Sequence, residues 1–465
     1  MSRFETFILL VAVASVWGCA GSSPLTAEDF RARLPELEAQ AAATPDDAAA
    51  LRDLGEAYAQ TRSFGQAATT LERARALAPD DPKTRYYLGL SYEGLDRRRD
   101  AVTTLGGWTG VPLASPWRPL MAGRHTTLQR ALLREELAAL VVAEDSLVTA
   151  GAVAEDVTDA VAVFPFAYRG GDPQWAPLGR GLAEMLTVDL AAVPEITVVE
   201  RLRLQTLLDE MALSSGNAFD PATAPRAGRL LRSGRIVGGG LDAGGDRLAA
   251  DVALWAWPSG DAPSFMPHEG ALADLFEIKK QMALGIVQSL GIGLSPAQRA
   301  QIERAPTNNL QAFLAYSRGL LEEDAGNYEA AAAEYNEALR LDPGFTAAAN
   351  KAQLASAAAT AGGGLDAGLS VARITTAGGI AVAGDWGVTG GGARPAGGAR
   401  AARGATSSLV RDRLSTLNGS VGGVVVPGEQ SRVPTSEVPI VPVPTTNAPP
   451  IPDPPPPPPP PAGGN

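Results

Sequence analysis

The residue types that most often carry enzyme chemistry are few in this chain and are not grouped. The 465 residues include two histidines, His125 and His268, and one cysteine. Neither histidine has the spacing or the cysteine partner of a zinc site or of an activated nucleophile. No Gly-Lys pair is present to hold phosphates in a Walker loop. We interpret both histidines as surface or helix-flanking residues and expect no enzyme activity.

Two other segments have residue types that could do chemistry. Glu200 and Arg201 begin a predicted helix directly after a strand, where a structural salt bridge or cap is favoured over a catalytic carboxylate. Gly238 to Ala243 has the glycine spacing of a dinucleotide fingerprint, but the next residues alternate like a strand and do not begin a helix. We therefore expect no cofactor and no metal. The net charge of −12 disfavours a nucleic-acid partner.

Cys19 follows an apolar run, Phe7 to Val16, that is the candidate core of a secretory signal. The run is shorter than the about 20 residues that span about 30 Å of hydrocarbon. The segment Val16-Trp17-Gly18-Cys19 resembles the lipobox of bacterial lipoproteins. The resemblance implies a lipid on Cys19 and, because no Asp follows it, the outer membrane. An ordinary secretory signal is the alternative.

A helical pattern recurs with a 34-residue offset within residues 46 to 105 and again far downstream. It resembles tetratricopeptide repeats, in which small residues let paired helices approach closely. The alternative is a generic alanine-rich helical pair. A helix containing Leu128, Leu132, Leu133, Leu137 and Leu140 is predicted to cap the first two copies. The predicted repeat-packing residues are Leu54, Gly55, Tyr58 and Ala67, then Leu88, Gly89, Tyr92 and Ala101, and in the third copy Gly319, Ala331, Ala338 and Pro343.

Residues 160 to 295 change from a helical period to alternating strands and helices, which predicts one α/β domain. Trp255 and Trp257 on the last predicted strand are expected to pack in the core or beneath the final helix, with an exposed binding patch as the alternative. The predicted strands are Ala160–Phe166, Ile196–Val199, Arg235–Gly239 and Leu248–Trp257. The predicted helices carry Leu182 to Leu190, Leu204 to Met211, a segment that begins at Asp220-Pro221, and Leu272 to Leu290.

This α/β segment resembles the curli-assembly lipoprotein (CsgG-like) domain and the related N-terminal domain of TolB. The resemblance implies a place in the bacterial envelope, either in an export pore or in organising envelope machinery. A pore needs two long alternating strands; only Leu248 to Trp257 fits, and its partner strand is predicted to be short and broken at Gly238-Gly239-Gly240. The matching segments are Val161–Phe166, Gly171-Asp172, Gly181-Leu182, Val198–Met211 and Gly228–Gly239.

The expected fold class is α+β multidomain: α-helical tetratricopeptide repeats, an α/β domain of the CsgG or TolB N-terminal type, and a disordered tail rich in Gly and Pro. The predicted boundaries are a signal peptide at 1–18, a lipidated linker and first helix at 19–45, repeats with the capping helix at 46–150, the α/β domain at 157–296, a third repeat and helix at 308–361, and the tail at 362–465.

The function expected from these segments is that of a non-enzymatic, outer-membrane lipoprotein that faces the periplasm. It would act as a protein-binding scaffold in envelope assembly or secretion, because repeat stacks bind partners on their surfaces. Its expected partners are envelope proteins or peptides, a membrane through the lipid, and further copies of itself. The alternative is a subunit of a curli-like export complex.

Overall fold

The computed structural model describes residues 24–149, 158–211, 224–256 and 264–376, which form fifteen α-helices and one five-stranded sheet. Cys19, the predicted helix start at Asp220-Pro221 and Trp257 lie outside the described residues.

Two helical hairpins near the N-terminus fit tetratricopeptide-like repeats. Each first helix begins at an aspartate whose side chain accepts a main-chain hydrogen bond: Asp47 from the N–H of Ala49 and Asp81 from that of Thr84. Pro82 takes the first helical position of the second hairpin, where its missing N–H costs nothing. The helices are α1 (Ala27–Ala43), α2 (Ala48–Gln60), α3 (Phe64–Leu77), α4 (Pro82–Gly94) and α5 (Arg98–Leu105).

The predicted capping helix is α6 (Trp117–Thr149), and it connects two cores. A single 3-10 turn over Gly106–Gly110 follows α5 and leads towards it. Leu128 of α6 packs into the core of the repeats, whereas Leu137 packs into a core beneath the sheet. Leu140, predicted to belong to the same apolar face, is exposed. The helix therefore caps the repeats with its first half and contacts the α/β segment with its second.

The sheet is mixed and has β3 at its centre. Two strands run parallel to β3 along one edge, β4 pairs antiparallel on the other edge, and β5 pairs antiparallel with β4. Apolar residues of β3 alternate between two cores, with Val237 on one face and Ile236 on the other. The strands are β1 (Thr158–Val163), β2 (Ala167–Tyr168), β3 (Ser233–Gly244), β4 (Arg247–Ala256) and β5 (Ser264–Ala271).

Two strand predictions are wrong in part, and one further strand, β5, was missed. Ile196–Val199 forms only one bridge, between Val198 and Val161. The strand predicted to break at the three glycines continues to Gly244, because every residue from Arg235 onward pairs with β4. β5 was not predicted, because most of its residues are exposed and it has no buried alternation.

In chain order, three of the described helices lie between β2 and β3, and six follow β5. The helix α14 packs on α6, where a Cβ on Gly123 would lie 2.1 Å from the Ala357 carbonyl oxygen. This contact brings the C-terminal repeat segment against the helix that caps the N-terminal one. The helices are α7 (Leu178–Ala191), α8 (Arg201–Glu210), α9 (Ala224–Leu230), α10 (Leu275–Ser289), α11 (Pro296–Glu303), α12 (Leu310–Ala325), α13 (Tyr328–Leu341), α14 (Thr346–Ala361) and α15 (Leu365–Thr376).

The predicted disordered tail begins too early. Residues 365–376, assigned to that tail, form α15, and its Leu369 and Ala372 are buried in the core of the N-terminal repeats. The Gly/Ala-rich composition hid a short apolar stripe with helical spacing. Among the described residues, no helix combines the length and apolar character needed to cross a bilayer.

Candidate protein-binding groove

Side chains of α2, α4 and the start of α6 line a groove, called here the repeat groove. Glu56 and Gln60 lie one turn apart on α2 and therefore share a face. Tyr86 and Tyr87 come from α4, and Trp117 begins α6. All five side chains are largely buried.

A hydrogen-bonded chain fixes the polar side of the repeat groove. The Tyr87 hydroxyl donates to Glu56 Oε1 at 2.8 Å, and Gln60 Nε2 donates to the Tyr87 oxygen at 3.2 Å. Lys83 Nζ lies 2.6 Å from the other oxygen of Glu56. Burial and the neighbouring Glu56 carboxylate raise the pKa of Tyr87 well above its usual value, so it stays a donor.

Aromatic rings form the apolar side. The Trp117 ring lies 5.6 Å from that of Tyr86 and 5.9 Å from that of Tyr87, measured between centroids. The two tyrosine rings meet edge to face at 6.1 Å. Burial raises the pKa of Tyr86, whose hydroxyl points at a main-chain carbonyl of α15. The groove thus presents two hydrogen-bond donors, Gln60 and Tyr86, beside a rigid aromatic wall.

The chain's own helix α15 lies in the repeat groove. Gln60 Nε2 donates to the carbonyl of Leu369 at 3.0 Å, and the Tyr86 hydroxyl donates to the carbonyl of Gly368 at 3.2 Å. The Thr376 hydroxyl donates to Glu56 Oε1 at 3.1 Å. The arrangement is helix-in-groove recognition made within one chain.

The predicted repeat-packing residues of the first two copies lie in the core of the N-terminal repeats, and those of the third copy lie in or beside the core that the C-terminal repeat shares with the sheet. A Cβ on Gly55 would lie 2.4 Å from Leu71 Cγ, one on Gly89 would lie 2.6 Å from Leu105 Cγ, and one on Gly319 would lie 2.5 Å from Tyr335 Cε1. The hydroxyls of Tyr58 and Tyr92 donate to Glu38 and Glu72, both at 2.7 Å. Leu54, Ala67, Leu88, Ala101, Ala331 and Ala338 are buried, and Pro343 is exposed in the turn before α14.

A second cluster of charged side chains joins the α/β segment to the C-terminal repeat. Arg201 at the start of α8 pairs with Glu184 at 3.1 Å, with Glu323 at 2.6 Å and with Asp324. Lys351 Nζ lies 3.0 Å from Glu323. Although burial favours the neutral acid, Lys351 and Arg201 hold the pKa of Glu323 at about 2. Opposite charges face one another throughout the cluster, and Arg180 Nε also lies 3.2 Å from Asp324 Oδ2, which is typical of a structural contact between elements.

The residues first considered for chemistry lie apart. His125 is buried on α6, where burial lowers its pKa to about 4, so its predicted surface position is wrong. His268 lies on β5, in a different element. Glu200 is exposed and makes no capping hydrogen bond to α8. Within the described parts of the chain, no group of three His, Cys, Asp or Glu side chains could hold a metal ion.

The groove residues were missed from sequence because their signal is local and ordinary. Glu56 and Gln60 at a four-residue spacing are typical of an exposed helical face, and only the contact with α15 shows their role. On α15, Leu365, Leu369 and Ala372 have helical spacing that was hidden by the surrounding Gly and Ala.

Comparison with known proteins finds one partial similarity. The chain is 42% identical over 76 residues to the cytochrome c-type biogenesis protein CycH of Bradyrhizobium diazoefficiens. The match covers 15% of this chain and 20% of that protein, so the chain spans about a fifth of the length of this curated relative. No protein-family model matches the chain.

Proposed function

We propose that this chain is a non-enzymatic, envelope-associated scaffold that binds other proteins through its repeat groove. The observation that carries the proposal is that the groove holds a helix, α15, through side-chain donors aimed at main-chain carbonyls. Such contacts hold the backbone of a bound helix, which suits a surface that recognises helical segments of other proteins. The name of the partial relative, a cytochrome c-type biogenesis protein, supports an envelope-associated assembly role.

The groove part of the proposal is tested by affinity capture of the tagged full-length chain from membranes. We expect a defined set of envelope proteins to co-purify with the wild type, and the yield to fall about tenfold or more with Gln60→Ala/Tyr86→Phe. Arg340→Ala is the matched control, because Arg340 forms an exposed ion pair with Glu337 on α13. Equal yields from the groove variant would contradict binding through the groove, and an empty capture would contradict the scaffold.

The proposal places the chain at the outer membrane, facing the periplasm, with Cys19 lipidated. The lipobox-like sequence that ends at Cys19 supports lipidation. Two or more acyl chains on that cysteine would anchor the protein stably. Cys19→Ala should then move the protein from the membrane fraction to the soluble periplasmic fraction. Persistence of the variant in salt-washed membranes would contradict the lipid anchor.

A second candidate is a subunit of a curli-like export complex. The order β1, α7, α8, α9, β3 supports it, because the resembling sequence segments lie in these elements. The detergent-solubilised full-length protein should then form rings that conduct ions in planar bilayers. Monomers without conductance would contradict this candidate and leave the scaffold unaffected.

A further inference from the structure

The helix α15 is held on the rest of the fold by a short connection and by one buried face, as a bound peptide helix would be. Three residues, Gly362 to Gly364, connect it to α14. Its buried residues are Gly368, Leu369, Ala372 and Thr375, which follow one helical stripe. Outside this stripe, Leu365 and Val371 pack at the margin of the core, Thr376 donates to Glu56, and Asp366 forms an exposed ion pair with Arg62 that contributes little.

The fit depends on a small residue at the point of closest approach. A Cβ on Gly368 would lie 3.0 Å from Leu90 Cδ2 and 3.4 Å from the Tyr86 hydroxyl oxygen. The small residue lets the helix backbone come near enough for its carbonyls to accept from Tyr86 and Gln60. Leu369 and Ala372 then fill the apolar part of the groove. The groove therefore selects the pattern Gly-Leu-x-x-Ala on one face of a helix.

One buried polar atom of the groove is unused. Gln60 is 4% exposed, and its Oε1 accepts no hydrogen bond from any described residue. The amide orientation is fixed, since the carbonyl of Leu369 can only accept and Nε2 must face it. A buried acceptor without a donor has a free-energy cost. A bound helix that brings a donor within reach of this oxygen removes that cost.

We propose that α15 is an intramolecular stand-in for a partner, and that the repeat groove exchanges it for a helix of another protein. That helix is amphipathic, carries Gly-Leu-x-x-Ala on its buried face and offers a hydrogen-bond donor to Gln60 Oε1. The inference rests on the proposed scaffold function and adds the class of partner. Because α15 is tethered by a short linker, its effective concentration is on the order of millimolar, and a free helix must compete with it.

The test uses a fluorescein-labelled peptide of residues 365–376 and the full-length chain. Leu369→Asp should release α15, because it places a charge in the apolar part of the groove. We expect the peptide to bind this variant about tenfold or more tightly than the wild type, since the tethered competitor is gone. A peptide with Gly368→Leu and a chain that also carries Gln60→Ala/Tyr86→Phe should both lose binding. Equal affinity for the wild-type and Leu369→Asp chains overturns the proposal.

A second experiment tests the proposal without the Leu369→Asp variant, in case that variant does not fold. A protease site placed at Gly362–Gly364 and cleaved in the folded chain leaves α15 bound without a tether. Labelled peptide in excess should then replace it, as seen by fluorescence anisotropy. Failure to exchange overturns the proposal, and exchange between two copies of the chain, seen as dimers by light scattering, overturns the choice of a different protein as partner. If exchange fails while envelope proteins still co-purify with the full-length chain, the scaffold function stands through another surface, and both the displacement and binding through the groove fall.

Discussion

Gly55 and Gly89 have the same role in successive helical hairpins. Each faces a leucine of the second helix, Leu71 or Leu105, at a distance that leaves no room for a methyl group. The interiors of proteins are close-packed, so an added carbon must push a neighbour or the backbone aside. These two residues therefore set the distance between the helices of each hairpin.

Gly55→Ala should destabilise the repeats. The added Cβ overlaps Leu71 Cγ and Cδ2, and we expect a loss of about 1–3 kcal/mol in the free energy of unfolding. Urea unfolding followed by circular dichroism measures it. Gly65→Ala on α3 is the matched control, because nothing lies within 4 Å of its Cβ position. There the higher helix propensity of alanine should raise stability by up to about 1 kcal/mol. A neutral Gly55→Ala would contradict the close helix contact.

His125 makes the folded state sensitive to mild acid. Its pKa is lowered to about 4 by burial, from 6.5 in the unfolded chain. The unfolded chain therefore binds more protons in this range, and stability is lost as the pH falls from 6.5 to 4. The shift corresponds to a loss of about 3 kcal/mol at most.

His125→Gln should remove this loss. Urea midpoints measured at pH 7.5 and pH 5 should differ less in the variant than in the wild type. The variant must be compared with the wild type, because protonation of Asp189 has the opposite effect on stability. Burial raises the pKa of Asp189 to about 6 despite Lys279, so the folded state gains stability from this group as the pH falls. An identical pH dependence in both proteins would contradict a buried, neutral His125.

At the level of secondary-structure elements, β4 is covered on one face along most of its length and on both faces only towards its end. Val252 lies in the core that α7 and α10 share with the sheet, and Ala253 and Trp255 lie in the core on the other face. The interior packing expected for Trp255 is what the structure has: its ring lies 6.3 Å from that of Phe265, and it is 9% exposed. Asp251 is exposed and pairs with Arg169.

Val252→Asp should unfold the α/β segment, because it buries an unpaired charge at a fully covered position. Asp251→Lys, one residue away, should cost at most about 1 kcal/mol, because it exchanges an exposed ion pair with Arg169 for two exposed like charges that water screens. Thermal unfolding of both variants measures the contrast. Similar melting temperatures would contradict the register of β4.

For the whole molecule, the cluster around Arg201 decides whether the α/β segment and the C-terminal repeat hold together. Arg201→Met leaves Glu323 and Asp324 buried with fewer partners, and we expect a loss of about 3–5 kcal/mol. Arg340→Ala breaks an exposed pair on the same repeat and should change stability by less than about 1 kcal/mol. Urea unfolding compares them. Equal effects would show that the cluster does not join the two parts.

The sequence alone determined the features that repeat or alternate over short distances. The 34-residue offset of Gly55 and Gly89 predicted the helical hairpins, because each needs a small residue at the same place. Alternation from Leu248 to Leu254 predicted β4, because side chains point to opposite faces with period two. These patterns depend on the nearest neighbours along the chain.

Only the tertiary structure decided which distant segments meet. The repeat groove and its occupant are about 300 residues apart, as in the 309-residue separation between Gln60 and Leu369. No local pattern encodes that contact: α15 is a short stripe in a Gly/Ala-rich segment and becomes buried only when Tyr86 and Gln60 lie beside it. The edge strand β5 was missed for the same reason, since hydrogen bonds to β4 define it and its mostly exposed side chains do not. Backbone hydrogen bonds and helix docking leave little trace in a sequence unless they also bury an apolar face.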